Sequence, residues 1–346
     1  MHCPSLTELP LPPPDKKGWP WTEESPSLPQ KISDGSSWPR ISIVTPSFNQ
    51  GMFIEETIRS VLLQGYPDLE YIIIDGGSTD GTVDIIRKYE KWIAYWVSQP
   101  DKGQSNAINK GFNIASGEIL AFINSDDLYE YEVFGVIAEE FIRYSKPHLL
   151  VGEWTVFRRL GRNRWESVLG KPWWPKDMEY FLSNNLTFCQ AASFWTKQLH
   201  HQVGGFDESL QFCFDRDFFL KIGLLGIKPT LLSCKIAKWR FHKDNKSTKD
   251  RERFFEDAIL ILRKHGKFFF LSEHEIASRE IEIQSEMRYL KVLMRWKGRG
   301  RLMAALEFVK MIVSCPNLLL KRKILGLGRR LLTFKSSDVV ELQRLW

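Results

Sequence analysis

Several features that would identify whole classes of protein are missing from this sequence of 346 residues. No apolar run approaches the roughly eighteen residues that a membrane-spanning helix requires. The N-terminus has neither a basic leader nor an apolar signal core, so we expect a cytoplasmic protein. Glycine and proline, with 23 and 17 residues, are near average usage, which excludes collagen-like and low-complexity chains.

Cysteine is scarce as well. The five cysteines are far apart in the chain and never form a C-x-x-C pair. This pattern argues against a disulfide framework and against a thiolate zinc site. We interpret all five as ordinary reduced thiols.

The net charge of +6 is unevenly distributed along the chain. Residues 288–346 carry +11, which leaves about −5 on the residues before them. No nucleic-acid recognition module accompanies the basic segment, so we expect no nucleic-acid partner. Over residues 288–335 apolar clusters alternate with Lys and Arg, a composition typical of an amphipathic helix on an anionic membrane surface. A helical cap on the preceding domain also explains this composition.

The chain divides into three parts. Residues 1–40 are rich in Pro, Ser and charge and hold Trp19, Trp21 and Trp38, which predicts an extended arm that buries its rings against the folded domain. Residues 41–250 show the pattern of a globular α/β domain, loosening after about residue 150 into aromatic-rich loops. Residues 251–346 are helical in pattern and form a basic amphipathic extension.

Short apolar runs alternate with helical periods in the first part of the globular domain. The predicted strands cover residues 41–45, 70–75, 94–97 and 118–123, and the predicted helices between them cover residues 55–64, 82–89 and 105–115. This order predicts an α/β fold with a Rossmann-like, mainly parallel sheet flanked by helices. Ligands bind such sheets at the carboxyl ends of the strands.

Three polar motifs fall at those strand ends. They are Thr45–Asn49 (TPSFN), Asp75–Asp80 (DGGSTD) and Asn124–Asp127 (NSDD). Each motif alone could be a helix cap or a helix start. Because all three follow neighbouring strands, we interpret them together as one pocket.

The joint pattern resembles glycosyltransferase family 2, the inverting nucleotide-sugar enzymes with the GT-A fold. The resemblance runs from residue 41 to about 131 and resumes from 188 to 248. It is carried by the segments Ile43–Gln50 (IVTPSFNQ), Ile74–Thr82 (IDGGSTDGT), Pro100–Gln104 (PDKGQ), Asn109–Gly111 (NKG), Ser116–Glu118 (SGE), Asn124–Asp127 (NSDD), Gly204–Asp207 (GGFD) and Phe214–Asp217 (FDRD). The arm's Gly18–Glu23 (GWPWTE) resembles a bacterial subgroup of the same family.

The resemblance implies a nucleotide-binding half over residues 41–130 and an acceptor half over residues 131–250. The implied nucleotide-binding residues are Thr45, Pro46, Phe48, Asp75, Lys102, Gly103, Asn106, Asn124 and Ser125. Pro46 and Phe48 would form a flat wall against the base, while Asp75 would accept from a pyrimidine N–H and a ribose hydroxyl. Gly76 stands where many relatives carry a second Asp, so a contribution from a second carboxylate is missing.

The remaining implied roles concern the reaction itself. Asp126 occupies the D-x-D position and, with His242, would hold a divalent metal, Mg²⁺ or Mn²⁺, at the donor diphosphate. Asp215 aligns with the family's catalytic base, with Asp217 as the competing candidate. The implied donor or acceptor contacts are Gln190, Asp217 and Trp239.

We therefore expect a metal-dependent inverting glycosyltransferase that uses a nucleoside-diphosphate sugar, UDP-sugars first, in cell-surface polysaccharide biosynthesis. The acceptor would be a glycan or a lipid-linked glycan, at the inner face of the plasma membrane if the basic extension binds lipid. A catalytically silent nucleotide- or glycan-binding module is the alternative, because Asn124, Phe214 and Gly76 replace acidic residues of the fuller motifs. A nucleotidyltransferase lacks support, since no Gly-rich, Lys-containing phosphate loop follows the first strand.

Overall fold

The computed structural model of the protein describes residues 3–144, 146–159, 165–183, 186–242, 244–246 and 251–297. The chain forms two compact units, Met1–Lys249 and Asp250–Trp346. The strands of the first unit are β1 (Ile41–Ser47), β2 (Leu69–Asp75), β3 (Tyr95–Ser98), β4 (Ile119–Phe122), β5 (Leu128–Tyr129), β6 (Leu149–Arg159), β7 (Trp165–Gly170), β8 (Ser193–Thr196) and β9 (Thr230–Phe241). Its helices are α1 (Ile54–Leu62), α2 (Thr82–Tyr89), α3 (Gln104–Ile114), α4 (Val133–Ile142), α5 (Tyr180–Ser183), α6 (Lys197–Val203) and α7 (Phe214–Leu224).

The described strands form one sheet in the order β3-β2-β1-β4-β8-β6-β9-β5, with β7 paired to β6. The pairs among β3, β2, β1 and β4 are all parallel. The predicted Rossmann-like α/β arrangement is therefore confirmed for this part of the sheet. Beyond β4 the sheet is mixed, because β8 runs antiparallel to both of its neighbours while β6 and β9 are parallel.

In the parallel part of the sheet, β1 lies between β2 and β4 and is buried at every position. A strand that is covered on both faces needs an unbroken apolar run, and Ile41–Val44 supplies most of it. Helix α3 packs closely on β1 and β2. A Cβ at Gly111 of α3 would lie 2.4 Å from Val44 Cγ1, so glycine is what permits this close approach.

Residues 131–250 hold more sheet than the sequence predicted. Residues 149–159, expected as loops, form the long strand β6, which pairs with β7, β8 and β9. The pairing of β6 with β9 shifts register on both sides of Glu153. Such irregularities interrupt the period-2 alternation that marks a strand in sequence, and this explains why the pattern was missed.

The N-terminal arm packs on the first unit. The rings of Trp21 and Trp38 are buried, and Trp19 packs against the same core. The indole Nε1 of Trp19 donates to the carbonyl oxygen of Tyr129 over 2.9 Å, and that of Trp38 donates to Pro29 over 2.8 Å. The indoles of Trp19 and Trp38 therefore each have a partner for their one polar atom.

The arm is fastened by Arg59, a fully buried arginine of α1. Its guanidinium donates to the carbonyl oxygens of Pro20 (3.0 Å), Pro10 (2.9 Å) and Trp21 (3.0 Å). It also donates to the hydroxyl of Tyr89 over 3.1 Å. A buried cation is tolerated when hydrogen bonds replace its hydration, and here the arm's backbone supplies most of the acceptors.

The second unit contains the helices α8 (Arg251–His265) and α9 (Glu273–Lys297). They pack together and share a bidentate ion pair, in which Arg263 contacts Glu280 at 2.6 and 2.8 Å. The basic segment that we interpret as a membrane or capping helix lies outside the described residues from position 298 onward. Within the described residues, no helix combines the length and apolarity that crossing a bilayer requires.

We expect Arg59→Met to lower the free energy of unfolding by about 3 kcal/mol, because the buried carbonyls that it serves would lose their donor. The measurement is a urea titration followed by tryptophan fluorescence. Arg87→Met is the matched control, since Arg87 is 62% exposed and its ion pair with Asp84 should contribute under about 0.5 kcal/mol. Equal stability of the two variants would contradict the role given to Arg59.

Candidate active site

The loops after β1 and β2 are tied together at the carboxyl edge of the sheet. The backbone N–H of Asn49 donates to Ser78 Oγ over 2.7 Å, and the N–H of Thr79 donates to Asn49 Oδ1 over 2.9 Å. Asn49 takes a left-handed φ of 52°, which Asn tolerates better than most residues. Two of the three predicted motifs therefore meet at one edge, as expected for parallel neighbours.

Asp75 is fully buried, and its own surroundings occupy its carboxylate. Oδ2 accepts from the backbone N–H groups of Gly77 (3.1 Å) and Ser78 (2.9 Å) and from the Ser98 hydroxyl (2.6 Å). Oδ1 accepts from Ser78 Oγ over 2.5 Å. The residue expected to contact the nucleotide base thus organises the turn after β2.

Of the three side chains expected to contact the nucleotide after β1, only Phe48 is open to solvent. Its ring is 60% exposed, whereas Thr45 and Pro46 are buried. The Thr45 hydroxyl accepts from Tyr71 over 3.1 Å. Phe48 therefore supplies the accessible flat surface at this end of the sheet.

The turn containing Lys102, Gly103 and Asn106 links the two halves of the first unit. The backbone N–H of Lys102 donates to Asn106 Oδ1 over 3.2 Å, and Asn106 Nδ2 donates to Glu208 Oε2 over 2.8 Å. A Cβ at Gly103, where φ is 113°, would lie 2.4 Å from Gln211 Oε1. The Lys102 side chain itself is exposed.

Asp126 lies at the centre of a polar cluster that follows β4. His242 Nε2 lies 2.9 Å from Asp126 Oδ2, and Asn245 Nδ2 donates to the same oxygen over 3.2 Å. The Asp126 and His242 side chains are 13% and 14% exposed. The His242 ring packs on Phe53 with centroids 4.5 Å apart. The two residues predicted to hold a metal are therefore adjacent in space, although 116 positions apart in sequence.

A chain of side-chain hydrogen bonds continues from this cluster to the start of α3. Gln104 Nε2 donates to Asn124 Oδ1 over 2.6 Å, and Lys246 Nζ donates to Gln104 Oε1 over 3.3 Å. Lys246 also contacts the rings of Phe212 and Phe214. Ser125, between Asn124 and Asp126, is buried. Sequence reasoning missed Gln104, Asn245 and Lys246, although the first lies in the PDKGQ motif and the others directly follow His242.

Arg240 binds the Asn124–Asp127 segment through its backbone and its side chain. Its backbone N–H donates to Asp127 Oδ1 over 2.9 Å, and its Nε donates to the carbonyl oxygen of Asp126 over 2.8 Å. Its Nη2 pairs with Glu56 Oε2 over 2.9 Å. Burial, reinforced by the charge of Asp126, raises the pKa of Asp127 well above its usual range, while the contacts from Arg240 oppose the rise.

Asp215 lies in the first turn of α7 and is partly exposed. Its Oδ1 accepts from the backbone N–H of Arg216 over 2.8 Å. Burial raises the pKa of Asp215 to about 6, opposed by the hydrogen bond and charge of Arg216 and by the charge of Lys246. A carboxyl group with such a pKa can exchange a proton near neutral pH.

Asp217, the competing candidate, has different surroundings. It is fully buried, and its Oδ2 lies 2.7 Å from the Nζ of Lys221, one turn further along α7. Of the two carboxylates, Asp215 is the one that reaches solvent.

Cys189 links the two acidic regions electrostatically. Burial is the main reason that the pKa of its thiol rises to about 12, and the charges of Asp127 and Asp215 add to the rise. Both carboxylates therefore lie within electrostatic reach of the same thiol.

The next residue, Gln190, has a buried Oε1 without a hydrogen-bond partner in the described part of the chain. Trp239 on β9 is partly buried beside Phe241.

The known proteins that this chain resembles in sequence are glycosyltransferases. A family model described as Glycosyl transferase family 2 matches residues 42–201. An uncharacterized glycosyltransferase of Mycobacterium tuberculosis is 30% identical over 205 residues, which cover 59% of this chain and 76% of the relative. The putative teichuronic acid biosynthesis glycosyltransferase TuaG of Bacillus subtilis is 41% identical over 99 residues, 28% of this chain and 39% of TuaG.

Among solved structures, Staphylococcus aureus TarS 1-349 in complex with UDP-GlcNAc matches with a TM-score of 0.52 and 18% identity, covering 79% of each chain. At this identity the match concerns the fold, and it agrees with the expected GT-A architecture.

We expect the two acidic residues of α7 to affect stability in opposite directions. The raised pKa of Asp215 means that its ionisation in the folded state opposes folding as the pH rises from about 4 through about 6. At pH 8, Asp215→Asn should therefore raise the free energy of unfolding by an amount of the order of 2 kcal/mol. Asp217→Asn should lower it by about 3 kcal/mol, since it leaves Lys221 without its buried partner. Urea unfolding checks both, and a stabilised Asp217→Asn would refute the assignment.

Proposed function

The chain belongs to glycosyl transferase family 2, and we propose that it transfers one sugar, with inversion, from a nucleoside-diphosphate sugar to a hydroxyl group of a glycan or lipid-linked acceptor. The observation that carries the proposal is the pairing of two sites. A polar cluster around Asp126 lies at the end of β4. Asp215, which is partly exposed and has a pKa raised to about 6, is influenced by the charge of Lys246, and Lys246 donates to Gln104, which in turn donates to Asn124 of the segment after β4.

The nucleotide would lie along the edge formed by the loops after β1, β2 and β3. The exposed ring of Phe48 offers a stacking surface, with Pro46 behind it. The exposed side chain of Lys102 can neutralise phosphate charge. Four further residues would act indirectly in this scheme, by fixing the loops that carry Phe48 and Lys102. They are Thr45, Asp75, Gly103 and Asn106.

The leaving group would be received by the cluster after β4. Asp126 and His242 provide one carboxylate and one imidazole side by side, and Asn245 adds an amide. The described residues contain no group of three or more acidic, His or Cys side chains suited to a metal. The donor set therefore fits a divalent ion, Mg²⁺ or Mn²⁺, that takes its other ligands from the diphosphate and water. When bound, such an ion supplies Lewis-acid stabilisation of the departing nucleoside diphosphate.

Asp215 would be the general base. It takes the proton of the acceptor hydroxyl as the hydroxyl oxygen forms a bond to the anomeric carbon from the face opposite the diphosphate. The bond from the anomeric carbon to the phosphate oxygen breaks at the same time, and its electron pair leaves with the nucleoside diphosphate. Attack on the opposite face inverts the configuration at that carbon.

The sugar would lie between these two sites. Among the described residues Gln190 Oε1 has no hydrogen-bond partner, so it can accept from a sugar hydroxyl, and the partly buried ring of Trp239 can contribute an apolar contact. We assign Asp217 to the support of α7, because its carboxylate is buried against Lys221. The similarity to a teichuronic acid biosynthesis enzyme supports an acceptor in cell-surface polysaccharide synthesis.

We further propose that residues 41–250 are the catalytic domain, with residues 1–40 as an arm packed on it. Residues 251–346 would be an extension that can bring the enzyme to the cytoplasmic face of the plasma membrane. The support for a membrane surface is the charge of +11 over residues 288–346.

Asp215→Asn should reduce transfer by about 100-fold or more, since removing a general base costs that much, while donor binding is retained. The assay incubates the protein with a panel of nucleotide sugars and acceptor glycans, with Mg²⁺ or Mn²⁺ and with chelator, and measures release of nucleoside diphosphate. Asp84→Asn, an isosteric change at a side chain that is 76% exposed on α2, is the control.

Two outcomes would go against the proposal. If Asp215→Asn loses donor binding in step with turnover, Asp215 is a binding residue. If the wild-type protein binds nucleotide by calorimetry but turns over no donor, the silent binding module is the better description.

The pH profile provides a separate test of the base. Because Asp215 must be ionised to accept a proton, kcat/KM should fall about tenfold per pH unit below about pH 6 and level off above it. Lys246→Met should move this limb to higher pH, since the positive charge of Lys246 lowers the pKa of Asp215. A profile that is flat down to pH 4, or a limb that Lys246→Met leaves in place, would exclude Asp215 as the titrating group.

A further inference from the structure

The stacking surface of Phe48 has no carboxylate from β2 beside it. Four hydrogen bonds from Gly77, Ser78 and Ser98 occupy the oxygens of Asp75. The next residue, Gly76, has no side chain. The carboxylate of Asp75 is therefore buried and already engaged, and the end of β2 presents no exposed carboxylate to a base that stacks on Phe48.

The carboxylate of Asp101 occupies the space beside Gly76. A Cβ built at Gly76 would lie 3.0 Å from Asp101 Oδ2 and 3.4 Å from Phe48 Cδ2. The Asp101 carboxylate and the exposed Phe48 ring therefore both lie beside Gly76. Asp101 comes from the turn after β3, so a different loop places a carboxylate beside the position where Gly76 has no side chain.

The two oxygens of Asp101 differ in their surroundings. Oδ1 accepts from the backbone N–H of Gly103 over 2.7 Å, which fixes the orientation of the carboxylate. Among the residues that the structure describes, no hydrogen bond reaches Oδ2. The side chain is partly exposed, so a ligand on Phe48 can reach this oxygen.

We propose that Asp101 reads the nucleotide base: its Oδ2 accepts the imino N–H of a uracil ring that stacks on Phe48, and the enzyme thereby prefers uridine diphosphate sugars. This inference rests on the proposed function. Cytosine presents an acceptor nitrogen at the corresponding position, which a carboxylate repels, and adenine does the same. Guanine presents two adjacent donors, the second of which competes with the N–H of Gly103 for Oδ1 of Asp101, whereas the single imino N–H of uracil needs Oδ2 alone.

The variant Asp101→Asn tests this assignment with one atom changed. The amide oxygen can still accept from Gly103, so Nδ2, a donor, replaces the acceptor Oδ2. Affinity for UDP should fall roughly 10- to 100-fold, the range for losing a hydrogen bond to a charged group, and affinity for CDP should rise. The measurement is calorimetric titration of the full chain with UDP, CDP, GDP and ADP in the presence of Mg²⁺. Asp84→Asn should keep the wild-type order.

A second variant moves the carboxylate. In Gly76→Asp/Asp101→Gly, the new side chain at position 76 enters the space that Asp101 vacates, and Gly76 has no left-handed φ that would strain it. The preference for UDP over CDP should return to within about fivefold of wild type, while Asp101→Gly alone should lose it. Such a rescue cannot come from damaged folding.

The outcomes separate this inference from the proposed function. If the wild-type chain binds none of the four diphosphates, the proposed donor class itself fails. If it prefers UDP and Asp101→Asn keeps that preference unchanged, the assignment of Asp101 is wrong while the glycosyltransferase proposal stands.

Discussion

The candidate site depends on one buried guanidinium, that of Arg240. It joins β9 to the segment after β4 and to Glu56 of α1, across sequence separations of 114 and 184 residues. The guanidinium group is planar, and its N–H donors point in fixed directions, so it can bind several acceptors at once. The same group packs on the rings of Phe53 and Phe157. His242 follows two residues later on the same chain segment. Arg240 and His242 therefore hold two neighbouring points of this segment against Asp126, through its carbonyl oxygen and its carboxylate.

The same arrangement separates the roles of two adjacent acidic residues. Asp127 is buried among donors from Arg240 and Asn124, and its raised pKa reflects the unfavourable desolvation that remains. Asp126 turns the other way, towards His242 and Asn245, and keeps part of its surface in solvent. Two neighbouring carboxylates facing one point would repel each other. Burying one of them against Arg240 leaves a single carboxylate for a ligand.

The sequence predicted the fold and the meeting of the three motifs at one edge of the sheet, but it did not predict the hydrogen bonds of individual side chains. Unbroken apolar runs such as Ile41–Val44 identify buried parallel strands, and their ends must share an edge, so the meeting of the three motifs followed from periodicity alone. Whether Asp75 faces a ligand depends on hydrogen bonds from the loops after β2 and β3, which no local pattern records. Asp101 and Arg240 were missed for the same reason. Their significance comes from neighbours that only the folded chain brings near.

The turn after β3 connects the surroundings of Phe48 with those of Asp215. The backbone N–H of Gly103 donates to Asp101 in this turn, and Gly103, whose φ of 113° favours glycine, lies against the side chain of Gln211. The backbone carbonyl of Gln211 in turn accepts from Lys246, whose charge lowers the pKa of Asp215. A series of contacts therefore connects the carboxylate of Asp101, beside Phe48, with the neighbourhood of Asp215. Because the turn after β3 is held at both ends, the proposed nucleotide and acceptor positions would be kept apart by loops that lie far from each other in the sequence.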